Sequence, residues 1–172
     1  MNNYAKLEVY IDDNVVFYTV RRYIDNKPDP FTETQKFFNT LKTLGKTPES
    51  DIMTALLKTL SRVRVRKEMV RHESRVDAFL PYGKQLRQIF PTMSLDKFDK
   101  VRLYLYRLND YDVVLMNGGI KSTDLAVSNC KDVYPHFLFA NKIGRLLDKQ
   151  ISNGDIDASH FYHCHQDIEL PI

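Results

Sequence analysis

The chain has 172 residues, with 43% hydrophobic and 27% charged residues, which fits one folded domain and excludes wholesale disorder. Its net charge of +3 is concentrated: residues 58–87 hold nine Lys/Arg against three Asp/Glu, while the segments on either side are neutral or acidic. Clustered charge of this kind marks either a nucleic-acid surface or a solvated helix face. The apolar runs are too short for a membrane span. Met1-Asn2-Asn3-Tyr4 lacks the basic region and apolar run of a signal peptide, so no membrane partner is expected and the cytoplasm is the expected compartment. Cys130 and Cys164 have no metal or redox spacing and read as free thiols.

In chain order, Tyr4–Ile24 predicts a β-hairpin, with Leu7, Val9 and Ile11 alternating with polar residues and Asp12-Asp13-Asn14 at the turn. Asp29 or Thr32 can cap the helix that follows, and Thr32 with Gln35 fits a capping box; the helix carries Phe37, Phe38, Leu41 and Leu44 and is closed by Gly45. Thr47-Pro48 opens a second helix with Ile52, Met53, Leu56, Leu60 and Val63 on one face. The short link between the two suggests a helical hairpin. Arg62-Val63-Arg64-Val65-Arg66 alternates, and either ends that helix or starts a strand. Met69–Leu80 has room for an extended stretch, and Lys84–Phe90 for a short helix stopped by Pro91.

Val101–Leu108 and Tyr111–Asn117 are the clearest strands, joined at Asn109-Asp110. The run Val113-Val114-Leu115-Met116 is expected of a strand covered on both faces. Lys121–Asn129 is polar and reads as a loop. Asp132–Ser152 predicts a long helix, with Asp132 as cap, Val133, Phe137, Ala140, Gly144, Leu147 and Ile151 on one face, and Gly154 at its end. The expected fold class is α+β: a small, antiparallel-rich central sheet with an N-terminal helical hairpin and a C-terminal helix packed on it. Residues 1–157 are expected to form one domain and 158–172 a tail.

Three groups of residues have chemistry to offer. His160, His163, Cys164 and His165 are competent zinc ligands, but their spacing fits no standard site, so no metal and no cofactor is expected. Arg71, His72, Glu73 and Arg75 combine an acid–base candidate with phosphate-clamping guanidiniums, or form an ordinary solvated strand. Arg102 shares a strand face with Tyr104 and Tyr106, which suits single-stranded RNA, where phosphates meet charge and bases stack on rings. The alternative is a sheet covered by helices, with the tyrosines in the core and Arg102 at an edge. No glycine-rich phosphate loop, GxSxG, HExxH or CxxC occurs.

The run Val101-Arg102-Leu103-Tyr104-Leu105-Tyr106-Arg107-Leu108, followed by Val113-Val114-Leu115-Met116-Asn117-Gly118-Gly119-Ile120-Lys121-Ser122-Thr123, resembles the core hairpin of the RelE/HigB-like, phage-derived toxin family. Lys84-Gln85-Leu86-Arg87-Gln88 resembles the short basic segment that precedes it there. The resemblance implies metal-independent mRNA cleavage, free or on the ribosome, by attack of a ribose 2′-OH on the adjacent phosphate, opposed by an antitoxin protein. It places Arg102 and Lys121, and more loosely Arg87, at basic positions of the family; the chemistry of the reaction adds His72 and Tyr104 as catalytic candidates. Arg64, Arg66, Arg71, Lys84 and Arg87 are the expected RNA contacts. This chain departs from the family pattern in its Tyr4–Ile24 hairpin, its Asp132–Ile172 extension, Gly118-Gly119 in place of Gly-Phe, and a single lysine, Lys121, in place of a pair. An inactive relative, or a protein-binding module on the same scaffold, is the alternative expectation.

Overall fold

The computed structural model describes residues 3–79, 88, 91, 100–124 and 126–172. The expected Lys84–Phe90 helix, apart from Gln88, and the RNA contacts Lys84 and Arg87 therefore lie outside the described residues. Among the described residues, eight strands form one sheet: β1 Tyr4–Asp12, β2 Val16–Ile24, β3 Lys27–Pro28, β4 Arg71–Glu73, β5 Val76–Phe79, β6 Val101–Arg107, β7 Asp112–Ile120 and β8 Glu169–Pro171. Their order is β4-β5-β6-β7-β2-β1-β8, with β3 added beside the end of β2. The described helices are α1 Glu33–Thr43, α2 Thr47–Leu60, α3 Tyr134–Ser152 and the single turn α4 Phe161–Cys164.

This architecture corrects the expected fold class in two respects. The sheet is large and mixed, because β2 and β7 run parallel over Val16↔Asp112 to Thr19↔Leu115 while the other pairings are antiparallel. The helical pair is also not N-terminal; it follows the β1–β2 hairpin. Periodicity identifies each strand separately, and carries no information about which strand lies beside which. The parallel contact that joins the β1–β2 and β6–β7 hairpins into one sheet therefore has no signature in either strand's own pattern.

The residues from 158 onward, expected as a tail, are also part of the folded body. Glu169–Pro171 pairs with Tyr4–Lys6 of β1, and Leu170 is fully buried. Alternation over three residues is too short to stand out in a polar sequence, and only the exposed edge of β1 gives those backbone groups their partners.

Each face of the sheet is covered. Phe37, Phe38 and Leu41 of α1 and Met53, Leu56, Leu57 and Leu60 of α2 pack on Phe17, Leu103, Leu105, Val113 and Leu115. On the other face, Ala140, Ile143 and Leu147 of α3, with Phe161 and Ile168, pack on Leu7, Tyr18, Val20, Tyr104, Val114 and Met116. The Val113–Met116 run is thus divided between two cores, as its unbroken hydrophobicity predicts. The Thr32–Gln35 capping box is present, and Gly45 closes α1 at φ +68°. Leu44 and Val63, expected on apolar faces, are exposed instead. Asp132 does not cap α3, whose N-cap is Val133 with no side-chain bond.

The β6–β7 pairing shifts register between Leu103↔Gly118 and Leu105↔Leu115, so Met116 and Asn117 together face Tyr104. This is a β-bulge, a device that re-aims a side chain. Just beyond it, Gly118 runs so close to β6 that a Cβ would lie 1.7 Å from the Arg102 carbonyl oxygen. Backbone, not a flexible side chain, blocks the space. Gly118→Ala is therefore expected to lower stability by at least about 2–3 kcal/mol, as overpacking against a fixed wall does; a urea midpoint unchanged from the parent would refute the close approach.

Candidate functional site

The sequence-predicted catalytic residues do not all meet: Arg102 and Tyr104 share a face of β6, and His72 stands apart from them. Across the paired strands, Arg71, Ala78 and Tyr104 are neighbours, and so are His72, Asp77 and Leu105. Side chains alternate along a strand, so His72 and Tyr104 stand on opposite faces of the sheet. His72 is exposed, with Nδ1 3.1 Å from Asp77 Oδ1. Tyr104 is fully buried under α3, its ring 5.9 Å from that of Phe137. Burial first, then the Glu73 carboxylate, raises the pKa of its hydroxyl well above the usual range for tyrosine.

Arg102 is also buried. Its Nη1 donates to the Val101 carbonyl at 3.0 Å and its Nε lies 3.8 Å from Glu73 Oε1. Arg71, expected to touch RNA, is 5% exposed on the same face. Lys121 follows β7, where its backbone N–H donates to the Lys100 carbonyl, and its side chain is half-buried. The covered-sheet reading of the tyrosines is thus the one the packing supports: α3 supplies an apolar roof, and Tyr106 donates from its hydroxyl to Asp148 of that helix at 2.7 Å.

The C-terminal histidines have local tasks. His160 pairs with Asp157 at 2.8 Å, and His165 is buried, with Nδ1 donating to the Tyr162 carbonyl at 2.6 Å and its ring 5.1 Å from that of Tyr18. Cys130 is buried just before α3. Burial pushes its thiol up, but the Ser122 hydroxyl and the backbone N–H groups of Ser122, Asp132 and Thr123 outweigh that and hold it below its ordinary value. Both cysteines are free. Among the described residues, no helix is long and apolar enough to cross a membrane.

Two arrangements were not foreseen. The first is a charged network at the start of α1. The Glu33 carboxylate is fully buried and accepts from Arg22 Nη2 at 3.1 Å, Lys36 Nζ at 2.8 Å and Asn117 Nδ2 at 3.2 Å. Arg22 lies 3.7 Å above the Phe139 ring. Thr34 and Thr19 join the same first turn to β2 through their hydroxyls at 2.7 Å. In the sequence, Glu33 looks like an ordinary acidic residue favouring a helix N-terminus; nothing local marks it as buried. His136 borders this network, and burial pushes its pKa below the ordinary value, with Glu33 opposing and Arg22 and Lys36 adding to the effect.

The second is the setting of the basic stretch. After α2 the chain turns, then runs extended across the end of the sheet. Val15 N–H donates to the Ser61 carbonyl at 2.7 Å, and Val65 N–H donates to the Asp110 carbonyl at 2.8 Å. Val65 is buried, so Arg64 and Arg66 on either side of it point outward, roughly 7 Å apart as i and i+2 of an extended chain. Lys58, Arg62, Arg64, Arg66 and Lys67 are all exposed, and none makes an ion pair with a described residue. Two of the acids beside them are occupied, since Asp110 Oδ1 accepts from Arg107 at 2.7 Å and Asp13 Oδ2 accepts from Ser61 Oγ at 3.1 Å; Glu68, next to Lys67, is exposed. The alternating Arg-Val-Arg pattern is therefore neither a helix end nor a ladder strand, but an anchored strap.

Comparison with protein-family models, curated proteins and solved structures returned no match.

Two outcomes test the Glu33 network. Glu33→Gln is expected to cost about 2–3 kcal/mol in urea unfolding, less than the roughly 3–5 kcal/mol of a fully buried pair because Arg22 and Lys36 keep part of their contact with water; a loss under about 0.5 kcal/mol would show the cluster to be incidental. For His136, a depressed folded pKa means the unfolded chain takes the proton more readily. Its contribution is complete above the ordinary value of about 6.5 and is lost as pH falls through the lower folded value. His136→Gln is expected to remove that component, flattening stability on the acid side of about pH 6.5; an unchanged profile would show that His136 titrates as it does in the unfolded chain.

Proposed function

We propose that this chain is an RNA-binding protein that engages the phosphate backbone through the strap from Lys58 to Lys67. The observation that carries this reading is the set of five exposed cations without an ion-pair partner among the described residues, held on a backbone fixed at both ends. Cations already paired with carboxylates have less to gain from a phosphate. These are not so engaged among the described residues, and each phosphate they neutralise releases a counterion. The RNA-binding role agrees with what the hairpin's resemblance to RelE/HigB-like toxins implies. It differs in where contact is made, since Arg64 and Arg66 are presented to solvent whereas Arg71 is not.

Cleavage on the hairpin is not part of this reading. A metal-free ribonuclease centre asks a proton-transfer group and phosphate-stabilising cations to converge on one phosphate. Here His72 and Tyr104 lie on opposite faces, and Arg102 is engaged with Val101 and Glu73.

The experiment is a salt titration of binding to a single-stranded RNA. Five phosphate contacts predict a slope near −3.5 in log K against log salt, so affinity should fall about 100-fold between about 50 and about 200 mM. Arg64→Ala/Arg66→Ala should weaken binding and reduce the slope by about 1.4, two contacts' worth. Affinity that is flat across salt, or untouched by the double substitution, would remove the proposal.

A further inference from the structure

We infer that Tyr111 is a stacking platform for an unpaired base, so that the strap selects single-stranded RNA over duplex. This rests on the RNA-binding reading above and sharpens it to a substrate class. Tyr111 is 51% exposed, in a protein whose other hairpin tyrosines, Tyr104 and Tyr106, are covered by α3. Its place beside the strap is fixed by backbone. The carbonyl of Asp110, the residue before it, accepts from Val65 N–H at 2.8 Å. Arg64 and Arg66, which flank Val65, therefore lie next to the turn that carries Tyr111.

That turn is rigid. The expected two-residue connection at Asn109-Asp110 is in fact four residues, Leu108 to Tyr111, between the end of β6 and the start of β7. Asn109 Oδ1 accepts from the N–H groups of Tyr111 at 2.7 Å and Asp112 at 2.8 Å, and the Tyr111 carbonyl accepts from Val16 N–H at 2.8 Å. Asp112 is held in turn by Asn109 Nδ2 at 3.0 Å and by the Tyr18 hydroxyl at 2.9 Å. Both backbone polar groups of Tyr111 are thus engaged, while among the described residues its ring makes no contact with another ring and its hydroxyl no hydrogen bond.

An aromatic ring on a fixed backbone beside free guanidiniums offers what single strands need. The ring meets the π-face of a base, whichever base it is, and the cations meet the phosphates on either side. Only two torsions of the side chain need ordering when a base settles on it, so little of the stacking energy is lost. A duplex hides its base faces inside the stack and gains only the charge contacts.

The test is fluorescence anisotropy with a labelled single strand of about 12 nucleotides, and with the same strand annealed to its complement, at several salt concentrations. Tyr111→Ala should weaken single-strand binding about tenfold at every salt, leave the salt slope unchanged, and leave duplex binding unchanged; Tyr111→Phe should keep full affinity. The unchanged slope separates loss of stacking from loss of the strap, and a parental urea midpoint shows that the variant is folded. Single-strand affinity of Tyr111→Ala within about twofold of the parent would overturn the inference, and so would an equal loss on duplex. If Arg64→Ala/Arg66→Ala lowers affinity and Tyr111→Ala does not, stacking fails and the RNA-binding reading stands. If neither lowers it, both fail.

Discussion

The parallel pairing of β2 with β7 is the constraint on which the remaining structure depends. It comprises only four residue pairs, Val16↔Asp112 to Thr19↔Leu115, yet it joins the β1–β2 and β6–β7 hairpins into one sheet. Parallel neighbours cannot be linked by a tight turn; the chain must travel back to the start of the second strand. Everything between Ile24 and Asp112 is that return path. It lays α1 and α2 over one face and adds β4, β5 and β6 on the far side of β7.

Both ends of this short ladder need closing, and they are closed by different chemistry. At one end backbone does it: Val16 bonds to Tyr111, Val15 to Ser61, and Val65 to Asp110. These bonds bring the strap after α2 against the β6–β7 turn. At the other end the ladder stops although both strands continue, and the first turn of α1 is fixed there by charge. Glu33 takes its partners from β2, α1 and β7, the last through an amide that the bulge at Met116-Asn117 presents. A carboxylate with no exposure is tolerable only with such partners, because desolvation without them costs several kcal/mol. The network is thus a registry device as much as a source of stability: any slip of α1 along the sheet would strand a charge.

The same layering determines what the surface offers. With helices on both faces, the aromatic stripe of β6 becomes core, and the arginines nearest it are spent on internal contacts. Exposed cations without an ion pair among the described residues include single lysines on the helices, such as Lys42 and Lys142, but five of them lie within ten residues of one another at the end of the ladder, where strap and turn meet.

Local patterns in the sequence determined most of the elements. Alternation marked β1 and β6, β-branched and aromatic content marked β2, and an unbroken apolar run marked β7; the Thr32–Gln35 pair and Gly45 marked the ends of α1; and the count of nine basic against three acidic residues marked the strap's neighbourhood. These signals are legible because propensity, capping and periodicity act between residues close in the chain. Tertiary structure alone decided the neighbours of each strand, the pairing of Glu169–Pro171 with β1, the burial of Glu33, Arg71 and Arg102, and the separation of His72 from Tyr104. It also decided which cations are free, since the sequence gives the sign of a charge and not its partner. Those outcomes depend on contacts between residues far apart in the chain, such as Glu33 with Asn117 or Val65 with Asp110. Such contacts leave no trace in any short window of sequence.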